Sequence, residues 1–244
     1  MLKLVRAEFA KMRRSSMFLV GFAGAAVTPL VSFAGIMLYR SGPNAEEFTV
    51  NYLLNETNLF NNLLIGPALY GLLGSWMVIR EFSEGTLRNI LPIPVSRARF
   101  LAAKFLALLV WILVLSLWSW ILAATLAALG GLDGWSLSAV AKYIAPFLFG
   151  GALLFLLSSP FLFAALALRN LVPVIAIIVS LTLVSVVIGN SAYQPIYPWT
   201  AIIPIVSGKP SAGFPPYAPY LSLFATSFAG FVLSFIRFCR MDIP

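Results

Sequence analysis

The sequence predicts an all-α integral membrane protein with six transmembrane helices, and three observations carry that expectation. Of 244 residues, 61% are hydrophobic and only 10% are charged, against roughly half and a quarter in an average soluble domain. The apolar residues fall in charge-free runs of about 20, the length that crosses a hydrocarbon core ~30 Å thick. Thirteen of the sixteen Lys and Arg residues lie in segments that six spans bring to one side. Such asymmetry marks the cytoplasmic face, so both termini are expected there, in the cell membrane.

The elements follow in order. Residues 1–16 carry Lys3, Arg6, Lys11, Arg13 and Arg14, with Leu2, Val5, Phe9 and Met12 on one helical face. That pattern predicts an amphipathic helix lying in the interface. The charge-free run 17–39 is longer than the core of a signal peptide, so it is read as the first span. Residues 40–58 are polar and read as a loop, 59–79 as the second span, and 80–104 as a basic loop. The third span is 105–129, followed by a glycine-rich turn at 130–134. The fourth is 143–168, where Ser158-Ser159-Pro160 predicts a kink whose freed carbonyl finds a neighbouring donor. Arg169-Asn170 leads into a fifth span at 171–188. Residues 189–219 hold seven prolines among tyrosines and Trp199, and read as a broken re-entrant or interfacial segment. The sixth span is 220–236. All of 1–244 is read as a single transmembrane domain.

Several functions are disfavoured by what the chain lacks. The net charge of +8 is spread beside apolar spans rather than along one stripe, and no nucleic-acid-binding motif accompanies it. Cys239 is the only cysteine and there is no histidine, which removes an internal disulfide, zinc sites and histidine-based triads. No charge falls well inside the six spans as drawn, which disfavours a proton relay but leaves carbonyl-built sodium sites open. Glu81 and Glu84 form a conceivable carboxylate pair, yet no further catalytic group accompanies them. Ser207-Gly208-Lys209-Pro210 lacks the leading glycine and the final Ser or Thr of a phosphate loop. The chain is therefore expected to have no catalytic or metal site, to bind no cofactor and to hydrolyse no ATP by itself.

The most informative segment is the loop after the second span. Glu81 and Glu84 are placed to begin a short helix with Arg88 near its end, which suits the helix dipole. Leu87, Ile90 and Leu91 share one face, and Pro92 and Pro94 stop the helix. Ser96 is then placed to cap the next helix, with Val95 and Phe100 as a hydrophobic staple. The residues alone leave two readings open, a membrane anchor or a docking surface.

Glu81-x-x-x-Gly85-Thr86-Leu87-x-x-x-Leu91, then Pro94-Val95-Ser96-Arg97 and Lys104, resembles the loop after the second span in ABC-2-type export permeases. The six-span layout, the amphipathic start and the broken segment before the last span resemble that family too. The resemblance implies that 81–91 is a cytoplasmic coupling helix docking on a separate ATP-binding cassette subunit, which would hold the ATP and Mg. Glu81, Glu84 and Arg88 would then offer charge to that subunit. Leu87, Ile90 and Leu91 would fill its groove, and Gly85 and Thr86 would allow close approach. It also implies a second permease chain, identical or related. The small residues Gly21, Gly24, Ala25 and Thr28, or Gly66, Gly71, Gly74 and Ser75, suit such an interface, though such patterns also mark packing within one chain. The small size and the Pro94–Arg97 ending are similar to the permeases of bacitracin and lantibiotic self-protection exporters, which implies outward movement of a peptide-antibiotic-like or lipid-like cargo. The competing expectation is an ATP-independent secondary carrier, or a membrane anchor for a cytoplasmic complex.

Overall fold

A computed structural model describes residues 1–40, 48–84, 96–208 and 213–241, and these are almost entirely helical. Helix α1 is Leu2–Arg13, and α2 is Ser16–Tyr39, capped by the Ser15 hydroxyl, which accepts from the Met17 amide at 3.1 Å. Next, α3 (Val50–Phe60) runs through a single π turn (Asn61–Ile65) into α4 (Gly66–Ser83) without a break. Helix α5 is Arg97–Leu129, α6 the short Leu137–Ala141, and α7 Ile144–Leu168. Last come α8 (Leu171–Ile188), the short α9 (Ile202–Ser207) and α10 (Ala218–Arg240). Six helices among the described residues are long and apolar enough to cross a membrane.

Three of the boundaries that differ from the sequence reading have a local physical reason. Residues 50–58, read as loop, are helical: Thr49 caps the Tyr52 amide, and Val50, Leu53 and Leu54 bury one face against Ile36, Ala123, Ala127 and Leu132. The second span continues past Ile79 to Ser83, taking Arg80 and Glu81 inside the helix. The third starts at Arg97 rather than residue 105, so Lys104 lies two turns within it. Its expected cap is present, the Ser96 hydroxyl accepting from the Arg99 amide at 3.3 Å. Val95, the other half of the expected staple, lies outside the described residues.

The long, buried helices α4, α5 and α7 form the centre, while α2, α8 and α10 are largely exposed. Close approach of these helices depends on small residues. A Cβ on Gly24 would meet the Leu69 side chain at 2.6 Å, one on Gly71 would meet Phe161 at 2.7 Å, and one on Gly74 would meet Leu162 at 2.5 Å. Ala25 is fully buried, and the Ser75 hydroxyl faces the Phe161 carbonyl. The small residues offered by the sequence for an interface between chains are thus largely spent on packing within this one.

Pro160 sits inside α7, and its missing N–H leaves the Leu156 carbonyl without its helical donor. The Ser159 hydroxyl donates to that carbonyl at 2.7 Å, as the sequence led us to expect, and also lies 2.9 Å from the Ser227 carbonyl of α10. Within 189–208 the chain packs back onto the bundle, with Trp199, Thr200, Ala201 and Ile202 buried. Tyr197 donates to the Leu181 carbonyl of α8 at 2.8 Å, and burial pushes its phenol above the ordinary tyrosine range.

Candidate functional site

At one end of the bundle, four charged side chains from three helices meet. Lys104 of α5 points its ammonium at Glu8 Oε2 of α1 (2.9 Å), Glu81 Oε1 of α4 (2.9 Å) and the Met77 carbonyl (3.1 Å). Three acceptors saturate the three N–H donors of a lysine. Lys11, one turn after Glu8, reaches the same Glu81 Oε1 at 2.8 Å and lies 3.7 Å from Glu8 Oε1. The side chains of Glu8, Glu81 and Lys104 are no more than 4% exposed, while that of Lys11 is 33% exposed. Two carboxylates and two ammoniums make the set neutral, and that balance is what lets charge be buried beside apolar helices.

Each element delivers its residue for a local reason. Val5, Glu8 and Met12 lie on the buried face of α1, so the carboxylate points inward with the core residues. Phe9, Phe18 and Phe22 surround Trp111 of α5 at 6.4, 4.9 and 5.3 Å, fixing α1 and α2 against that helix. Glu81 lies in the last turn of α4 rather than at the start of a short helix, and Glu84 caps the end of α4. Acids at a helix C-terminus are disfavoured by the dipole. Here Lys11 and Lys104 offset Glu81, and Arg80 lies 3.8 Å from Glu84.

The same end gathers more cations. The Arg80 guanidinium stacks 4.6 Å over Trp76, and Arg169, in the left-handed conformation (φ 51°) after α7, lies 5.2 Å over Phe82. Arg97 donates to the Cys239 and Met241 carbonyls at 3.1 and 2.7 Å, binding the end of α10 to the start of α5. Phe100 and Phe238 stack beside it at 6.0 Å. The N-terminal helix, the end of α4, the start of α5, Arg169 and the end of α10 therefore share one end of the molecule. At the opposite end, Arg40 donates to the Gly130 and Gly131 carbonyls.

This arrangement is suited to holding helices, not to binding a ligand. The void beside Glu81 and Lys104 is only about 10 Å³, room for one water at most. Of the residues expected to couple, Glu81 faces inward, and Glu84 has a half-exposed carboxylate at the last turn of α4. Gly85, Thr86, Leu87, Arg88, Ile90 and Leu91 lie outside the described residues. The sequence reading missed the partners of Glu81 altogether, and it placed Arg80, Glu81 and Lys104 in a loop, whereas they lie in the end turns of α4 and α5. One signal was available: Glu8 is the only acid among residues 1–40, and it falls in register with Val5 and Met12.

Residues 4–189 match the family model described as ABC-2 family transporter protein. The chain belongs to that family. This ABC-2 permease is also 36% identical over 189 residues to the bacitracin transport permease protein BCRB of Bacillus licheniformis, an alignment covering 78% of this chain and 91% of that relative. It is accordingly a multi-pass membrane subunit of a transporter. The permease's buried cluster lies wholly inside the matched stretch, from Glu8 of α1 to Lys104 of α5.

Proposed function

We propose that the chain is the permease subunit of an ATP-driven exporter, coupled through residues 81–91 to a separate ATP-binding cassette subunit that holds ATP and Mg. In this reading 1–244 is one transmembrane domain with both termini cytoplasmic, paired with a second permease chain. The cargo is an amphipathic peptide-antibiotic-like or lipid-like compound, a class suggested by the bacitracin transport permease it resembles. The α1 helix lies in the cytoplasmic interface, its basic residues Lys3, Arg6, Arg13 and Arg14 being exposed and facing an anionic leaflet. The segment 189–219 is interfacial or re-entrant.

The observation that carries the reading is the buried cluster immediately before residue 85. A docking segment transmits motion only if its base is rigid, and Glu81 is fixed there to α1 and α5 at once. Glu81 then acts as a positioning residue, while Glu84, half-exposed, is the acid available to a partner. When the ATPase subunits close, displacement of 85–91 would be passed to α4 and α5 as a shift between two packed arrangements.

The test uses the full chain co-expressed with its cognate ATPase. The two are expected to co-purify, and Glu84→Lys is expected to lower permease-stimulated ATP hydrolysis by about three- to tenfold, on the order of 1 kcal/mol for one rim charge pair reversed. Membrane insertion should be unchanged. Failure of the wild-type pair to co-purify, or unchanged stimulation and unchanged co-purification in Glu84→Lys, would sink the proposal.

A further inference from the structure

Helix α1 has two faces of opposite character. Val5, Glu8 and Met12 are buried against the bundle. At about 100° per residue, Lys3, Arg6, Arg13 and Arg14 fall within an arc of roughly 100° on the side turned away from them. All four are exposed, and their side chains make no hydrogen bond or ion pair among the described residues. Glu8, the only acid among residues 1–40, is spent inward on Lys104, and Glu84 stands beside Arg80. The stretches after α4 and α10 that lie outside the described residues, 85–95 and 242–244, contain one acid, Asp242, against one more base, Arg88. Like charges on one face repel, so this face is suited to an anion from outside the chain.

The place of α1 in the bundle says which anion. The Glu8–Lys104 contact of 2.9 Å sets the middle of α1 level with Lys104. The charge-free run of α5, 105–129, begins at the next residue. Only Arg14 and Ser15 separate α1 from α2, whose own charge-free run starts there. Two spans therefore enter hydrocarbon at the level of α1. Phe9 meets Trp111 on the flank of α5, so the opposite face of α1 points sideways from the bundle rather than along its axis. Cations that point sideways at that level stand among lipid headgroups, where anionic lipid attracts each of them.

What such lipid would hold in place is the end of α4. Helix α1 has twelve residues, near the length below which a helix is marginal without packing. Its Lys11 is one of the two ammoniums on Glu81 Oε1, the other being Lys104. Were α1 to lift away, Glu81 would lose one of these and Lys104 would lose Glu8. The end of α4 would then be tied to α5 alone.

We propose that the outward face of α1 binds anionic lipid headgroups, and that this binding regulates coupling by keeping α1 seated on Glu81. The regulation rests on the exporter reading; the lipid binding does not. Binding is read on the purified full chain in phosphatidylcholine nanodiscs, without any ATPase. A fluorophore is placed on Ala10→Cys, exposed within the basic arc, in a Cys239→Ser background. Quenching by nitroxide-labelled phosphatidylglycerol should exceed that by nitroxide-labelled phosphatidylcholine about threefold or more, and high salt should remove the difference. Lys3→Gln with Arg6→Gln, two exposed side chains outside the core, should cut the preference about twofold or more. Arg237→Gln with Arg240→Gln, an equal loss of charge on α10, should leave most of it. Equal quenching by the two lipids, or a preference that both double variants lose alike, overturns the site. In the complex with the cognate ATPase subunit, phosphatidylglycerol should raise stimulated hydrolysis several-fold, and the Lys3, Arg6 variant should lose that gain. Hydrolysis indifferent to phosphatidylglycerol overturns the regulation alone. A Lys3, Arg6 variant that no longer co-purifies with the subunit gives the face to that subunit and overturns the proposal. If the wild-type pair fails to co-purify, the exporter reading falls and the regulation with it, while the quenching result still decides the lipid site.

Discussion

Lys104→Met is expected to be the most damaging single substitution at the charged end of the bundle, lowering the stability of the purified protein by about 3–5 kcal/mol. The reason is the asymmetry of buried charge. Lys104 satisfies Glu8 and Glu81 together, and both carboxylates are almost fully buried. Without it, one ammonium at the edge, Lys11, faces two acids. The triple variant Glu8→Gln, Glu81→Gln, Lys104→Met removes the imbalance as well as the bonds. It should recover most of the loss, because apolar or neutral replacement of a whole buried ion set is often close to neutral. Thermal unfolding in detergent, compared across wild type, single and triple variants, checks both halves. A single variant as stable as wild type, or a triple variant no better than the single, would contradict the role given to the cluster.

Gly230→Ala is the second large effect. A Cβ at Gly230 would come within 2.5 Å of the Ser159 hydroxyl and 2.6 Å of the Pro160 backbone nitrogen. The obstacle is backbone, held in place by a proline ring, so α10 must move away from α7. Overpacking of this kind costs about 1–3 kcal/mol, and here the displaced helix also carries the Ser227 carbonyl beside Ser159 and the chain end held by Arg97. Gly35→Ala is the control. Nothing lies within 4 Å of a Cβ there, so that change should be neutral or stabilise α2 by up to ~1 kcal/mol. Unfolding temperatures of the two variants should therefore move apart, and equal shifts would show that α7 and α10 are less closely packed than described.

The spans were legible because the bilayer imposes a length and a composition on each of them. The fifth span, 171–188, coincides with α8, and the first, 17–39, with α2 less one residue. Charges were misread as ends. Hydropathy treats Arg80, Glu81 and Lys104 as the edge of the membrane, whereas a helix continues through a charge whose partner is in place. Those partners are far away in sequence: Glu8 and Lys104 are 96 positions apart, and Lys11 and Glu81 are 70 apart. No local pattern announces such a pairing. Residues 50–58 failed for the converse reason, since Asn51, Asn55, Glu56 and Asn58 conceal the face formed by Val50, Leu53 and Leu54.

The central claim is that a partner's energy enters through the segment that follows Glu84. Site-directed cross-linking tests it most directly. In a Cys239→Ser background, which removes the one exposed native thiol, Arg88→Cys and Leu38→Cys are introduced singly, and each is treated with a short thiol-to-amine reagent in the complex with the ATP-binding cassette subunit. Position 88 should join to that subunit, and position 38, exposed at the other end of α2, should not. A co-purified subunit that joins from position 38, or from neither position, would contradict the account.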